Sequence, residues 1–155
     1  EQAPRVVGAK VHTHYSGCTM GDPRLAAMLD TLQDWGRPLL LHTWGAGEVS
    51  HLRNLATRFP RLQIIVAHAG GDAWREGIAA AQACPNLYLD FACSTPYRGA
   101  IERALAVVGA QRVVFGTDAT LFDPLVMKSR YDALALEATD RALIMGGNAE
   151  RLFQL

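Results

Sequence analysis

Three apolar runs in this chain end the same way, and that repetition narrows the possible folds more than any other feature. Residues 62–71, LQIIVAHAGG, put Leu, Ile, Val and Ala ahead of His68 and close on Gly70 and Gly71. Residues 38–45, PLLLHTWG, lead to His42, and residues 112–120, RVVFGTDAT, lead to Asp118. Apolar runs of this length, bounded by Pro or Gly, read as strands buried on both faces. Between them lie helical patterns. Asp22-Pro23 is an N-cap followed by a first-turn proline, and Leu25, Met28, Leu29 and Leu32 then mark one apolar helix face. Strand and helix alternate about five times at roughly the 30-residue length of a βαβ unit. Such alternation demands a parallel sheet with right-handed crossovers.

Taken in order, residues 5–14, RVVGAKVHTH, are expected to form the first strand, with Lys10, His12 and His14 sharing one face. Glu48 or Ser50 begins a helix that Pro60 stops, after a glycine-rich loop carrying Trp44. Asp72 is expected to cap a helix over 73–83, and LYLDFA (87–92) to form the fourth strand. Ile101, Leu105 and Val108 mark another helix, and residues 112–117 a fifth strand. Asp123-Pro124 repeats the cap-then-proline start for a helix through YDALALEA. Gly146, Gly147 and Asn148 interrupt the last apolar run before a short terminal helix. With no linker-like segment, residues 1–155 are expected to form one α/β domain, either an open doubly wound sheet or part of a (β/α)8 TIM barrel. No G-x-G-x-x-G or Walker sequence follows any strand, which removes the main support for nucleotide binding.

Charge narrows the partners. Fifteen Lys and Arg balance fifteen Asp and Glu, so no net field draws in nucleic acid or an anionic membrane. No apolar run approaches the roughly 18 residues of a membrane span. Cys18, Cys84 and Cys93 are odd in number and form no C-x-x-C, which argues against a disulfide framework and fits a cytoplasmic setting. The first residue is Glu rather than Met, as expected of a processed chain or one cut from something longer.

A single histidine at a strand end is usually a hydrogen-bonded core residue. Here His42, His68 and Asp118 occupy equivalent places in successive units, with His12 and His14 in another. Parallel neighbours bring such ends into one cleft. Imidazole and carboxylate together suit Zn²⁺, Fe²⁺, Mn²⁺ or Co²⁺ rather than Mg²⁺ or Ca²⁺. A divalent metal with an open position lowers the pKa of its water to about 7, and a neighbouring His or Asp can move protons. His12 and His14 are metal candidates if they share a strand face; otherwise Lys10 and His12 line the cleft and His14 begins a loop. Trp44, Tyr97 and Arg98 are candidates for contacting a substrate ring or carboxylate, against ordinary loop packing. Asp90 is a candidate second-layer acceptor for a ligand histidine. His51 reads as a surface residue.

GAKVHTHYSG, PLLLHTWG, IIVAHAGG, NLYLDFA, VVFGTDAT and the closing GGNAERLFQL together resemble the amidohydrolase superfamily. The likeness is to its amidohydrolase 2 group, which includes aminocarboxymuconate-semialdehyde decarboxylase and related benzoate decarboxylases. The resemblance runs over almost the whole chain. It implies a (β/α)8 barrel with a divalent metal, most often zinc, at the C-terminal mouth. It implies that His42 is a metal ligand on strand five and that His68 on strand six is an acid/base or second ligand. It further implies that Asp118 on strand eight binds metal and handles a proton, and that Lys10 and His12 on strand four lie near substrate. The family's first strand carries an H-x-H that supplies two ligands. Here one strand precedes His42, so the chain resembles strands four to eight of a barrel that usually needs roughly 250 residues.

The resemblance therefore implies a metal-dependent hydrolase or non-oxidative decarboxylase for a small carboxylated or cyclic substrate, working through metal-bound water and a His/Asp acid-base pair. The rival expectation is a non-catalytic binding or assembly module derived from such a barrel. A weaker third expectation is a related barrel phosphoesterase or deoxyribonuclease; the neutral charge and the few basic residues near the expected mouth argue against a DNA substrate. Five strands leave open edges, so the chain is expected to associate with copies of itself or to need an N-terminal half of the barrel.

Overall fold

The structure, a computed structural model, describes residues 6–155. Its elements are β1 (Ala9–Val11), α1 (Thr13–Ser16), α2 (Pro23–Asp34), β2 (Leu39–Trp44), α3 (Gly45–Arg58), β3 (Ile64–Gly70), α4 (Trp74–Ala83), β4 (Leu87–Asp90), α5 (Ala100–Val108), β5 (Val113–Val114), α6 (Pro124–Asp132), α7 (Ala138–Ala142) and α8 (Asn148–Phe153). The five strands lie side by side in chain order, each parallel to the next. A doubly wound sheet reverses its strand order at a switch point. This sheet never reverses, so it is an arc of a (β/α)8 barrel.

Strand alternation assigns the two faces. Val11, Leu39, Leu41, Ile64, Val66, Leu87, Leu89 and Val113 belong to the large core beneath the helices, with Leu29 and Leu52 fully buried against them. The other, concave face carries Lys10, Leu40, Ile65 and Tyr88 in one register row. The terminal helix α8 covers the lower part of that face, where Leu152 and Phe153 pack on Leu40, Ile65, Tyr88 and Val114. Asn148 opens α8 and explains the glycine-rich break before it. Fully buried, its amide nitrogen lies 2.8 Å from both Ala110 O and Val113 O, pinning the start of β5.

Several element bounds differ from expectation. The first strand is short, and its expected start at Arg5 lies outside the described residues. It stops at Val11, because His12 becomes the N-cap of α1 and residues 13–16 turn helically. The expected loop before α3 is absent: α3 starts directly at Gly45, with Glu48 in its first turn and its carboxylate accepting the Trp44 N–H at 2.7 Å. Asp72 is no helix cap; it lies in a 3-10 turn, Gly71–Ala73, ahead of α4. The fourth and fifth strands end early, and the YDALALEA segment leaves the helix at Asp132. No described helix is long and apolar enough to cross a membrane.

Candidate functional site

The concave face gathers most of its titratable groups toward the C-terminal ends of the strands. Two residues beyond the row of Lys10, Leu40, Ile65 and Tyr88 come His12, His42, Ala67 and Asp90. His68 is out of phase with this set. Strict alternation would turn it under the helices beside Val66, but φ values of 64° at His68 and 51° at Ala69 break the strand geometry. The ring instead lies beside His42, with centroids 4.8 Å apart. Asp118 also adopts a left-handed backbone, φ 52°. Non-glycine residues rarely occupy that region unless their surroundings impose it.

The hydrogen bonds fix the proton positions. His68 Nδ1 contacts the carbonyl of Ala92, so Nδ1 carries the proton and donates. Its Nε2 then presents a lone pair, which lies 3.1 Å from His42 Nδ1 and accepts from it. His42 is left with Nε2 unprotonated and available. The His12 ring stacks on His42 at 3.7 Å with a 15° tilt, and Tyr15 stacks on the far side of His12 at 4.0 Å. Burial holds His42 far below the usual imidazole range, down to about 4, with help from the neighbouring His12 and His68. Burial also lowers His12, followed by the charge of Lys10. Both rings are thus neutral at pH 7, the form a metal requires.

Lys10, His12, His42, Trp44, His68 and Asp118 line one cleft of about 410 Å³, which Leu121 and Phe122 border on the apolar side. Trp44 ends β2, with its ring 5.8 Å from His68. Gly71, at φ 62°, leaves the space that ring occupies, since a Cβ there would overlap the indole. Arg98 faces a neighbouring cavity of about 330 Å³ that shares His68 and Cys93 with the cleft.

Two expectations need correction. His14 does not share a strand face with Lys10 and His12. The helical turn at residues 13–16 swings it away to an exposed position, 6.5 Å between ring centroids from His12, beside a different cavity with Glu48 and His51. Thr13 is buried and donates to Glu48 Oε1 at 2.8 Å. Asp90 does not touch a histidine. Its Oδ1 accepts the Ala92 N–H at 2.8 Å, and the Ala92 carbonyl in turn meets His68. Burial drives the Asp90 carboxyl up to about 7. Tyr15, Leu121 and Phe122 also line the cleft, and single aromatic or aliphatic side chains outside a periodic pattern carry no sequence signal of their own.

The donor chemistry fits a divalent ion: one free imidazole nitrogen on His42, the Asp118 carboxylate, and a buried His12 Nδ1 without a hydrogen-bond partner all occur at one cleft. Among the described residues, no three His, Cys, Asp or Glu side chains gather closely enough to hold a metal by themselves.

The Amidohydrolase family profile matches residues 1–155, and the chain belongs to that family. No curated protein matches it. Among solved structures, the chain is similar to an uncharacterised TIM-barrel protein from Bordetella bronchiseptica, at 25% identity and TM-score 0.77, over 88% of this chain and 52% of that one. It is similar to 5-carboxyvanillate decarboxylase from Novosphingobium aromaticivorans, complexed with manganese and 4-hydroxy-3-methoxy-5-nitrobenzoic acid, at 18% identity and TM-score 0.72, over 96% and 56%. It is also similar to an amidohydrolase from Burkholderia multivorans with bound zinc, at 18% identity and TM-score 0.71, over 88% and 59%. The chain spans little more than half the length of these proteins.

Proposed function

We propose that this chain supplies the metal- and proton-handling side of a hydrolase or non-oxidative decarboxylase acting on a small carboxylated or cyclic substrate. The observation that carries the reading is the convergence of His42 and His68, from two neighbouring strands, and Asp118, from the loop after β5, on one cleft at the C-terminal end of the sheet. His42 Nε2 and Asp118 would hold the ion, with zinc or manganese suited to imidazole plus carboxylate. The manganese and zinc of the two similar proteins support a divalent ion. His12, stacked on His42, is a further donor at the same cleft; His14 has no place in this set. When bound, such an ion supplies Lewis acidity and lowers the pKa of water to about 7.

His68 is the proton carrier in this reading. Its Nδ1 is committed to Ala92, so every proton it exchanges passes through Nε2, on the cleft side. In hydrolysis, His68 or Asp118 takes the proton of the attacking water. In decarboxylation, His68 first takes up a proton from solvent at Nε2 and then passes it to the carbon that loses CO₂. Lys10 attracts a substrate carboxylate, Trp44 flanks its ring, and Arg98 guards the adjoining cavity.

The test uses the protein with whatever sequence naturally precedes Glu1: elemental analysis for metal, and turnover on a panel of hydroxylated aromatic carboxylates and cyclic amides. His68→Asn and Asp118→Asn are each expected to lower kcat by about 10² to 10⁴. Near-wild-type rates in either variant would remove the role assigned to that residue. That no three described His, Cys, Asp or Glu side chains gather closely enough to hold a metal favours a second reading, a non-catalytic module of the same fold. Protein that is free of metal and inactive on the whole panel would establish it.

A further inference from the structure

We propose that Arg130 is a positioning residue for His68, a role that rests on reading His68 as the proton carrier. Past Asp90 the strand ladder stops, and side chains hold the next three residues in place. Arg130 Nη1 donates to Phe91 O at 3.3 Å and Nη2 to Cys93 O at 2.9 Å. Between those two carbonyls lies the Ala92 carbonyl, which accepts from His68 Nδ1, while Asp90 holds the Ala92 N–H. The guanidinium thus spans the peptide that orients the imidazole. Its two donors fix both flanking carbonyls, so the middle one can point only at the ring.

The base of Arg130 is equally fixed. Its neighbours Met127 and Tyr131 on α6 are buried, and Tyr131 packs edge-on against Phe115 at 5.5 Å. The same helix begins at the Asp123 cap, five residues beyond Asp118. One rigid element therefore follows the loop that carries the carboxylate and reaches back to set the tautomer of the histidine. His68 needs such support, because its left-handed backbone falls at the register shift between the Ala67 and Gly70 pairings, where regular strand geometry does not orient the ring.

The experiment reads the tautomer directly, by long-range ¹H–¹⁵N NMR of His68 in the purified, metal-free protein. Wild type is expected to be the Nδ1-protonated form. In Arg130→Gln the Nε2-protonated population should rise roughly tenfold, the effect of losing one charge-assisted hydrogen bond. Arg130→Lys, which keeps the charge but replaces the planar fork with a single donor nitrogen, should fall between. If the glutamine variant does not fold, the lysine variant is read against wild type alone. A wild-type tautomer in the folded variants overturns the proposal and leaves the proton-carrier reading standing. Full activity in His68→Asn overturns the proton-carrier reading while the tautomer shift persists.

Discussion

Asp90 offers the sharpest quantitative test of the site's architecture. It is 8% exposed, its one hydrogen bond is from the Ala92 N–H, and burial outweighs that bond and the pull of Lys10 to raise its carboxyl from 3.8 to about 7. The folded protein therefore holds a proton there that the unfolded chain releases near pH 4. Because the native state binds more protons across this interval, stability must fall as pH rises from about 4 to about 7. A shift of about three units at 1.36 kcal/mol each sets a ceiling of about 4 kcal/mol. Asp90→Asn removes the titration and keeps an oxygen for the Ala92 N–H. The measurement is the difference in urea unfolding free energy between variant and wild type, followed across about pH 4 to 8. His12 and His42 titrate in both proteins and cancel in the difference. The variant should gain stability relative to wild type steadily between pH 4 and 7 and level off above, by about 1 to 4 kcal/mol. A difference that does not change with pH would refute the claim that Asp90 is held protonated by burial.

Two further outcomes follow from geometry. Gly116 is needed for space rather than for turn conformation: a Cβ there would sit 2.7 Å from Asp90 Oδ1. Gly116→Ala should cost about 1 to 3 kcal/mol in thermal unfolding, and the cost should shrink when Asp90 is also truncated to Ala. Among the described residues β1 pairs only with β2, and β5 only with β4, which leaves two open edges. The 155-residue chain should therefore associate in size-exclusion chromatography, and a sharp, concentration-independent monomer peak would count against the open arc.

Strand interiors were legible in the sequence because burial on both faces imposes a composition. The segments around Leu39, Ile64, Leu87 and Val113 contain almost nothing that water would favour, and the parallel β-α order follows from that alone. The faces of those strands were legible only as far as alternation holds. For β2 it holds through His42. For β1 it fails at Thr13, where one helical turn diverts His14, because Thr13 finds a partner in Glu48 on α3 that no local pattern announces.

The site itself departs from regular structure at the positions that matter. His68 has the parity of a core residue and reaches the cleft only through two successive left-handed residues, so the sequence points to it through the likeness of strand ends and not through periodicity. Arg130 was invisible for the opposite reason. It lies on a helix with almost no apolar periodicity, and its partners are carbonyls, which every residue owns. A side chain that grips backbone leaves no complementary residue type in the sequence to betray it. The groups that hold the histidine in place are therefore the ones least written into the order of amino acids, although the chemistry proposed for the cleft depends on them.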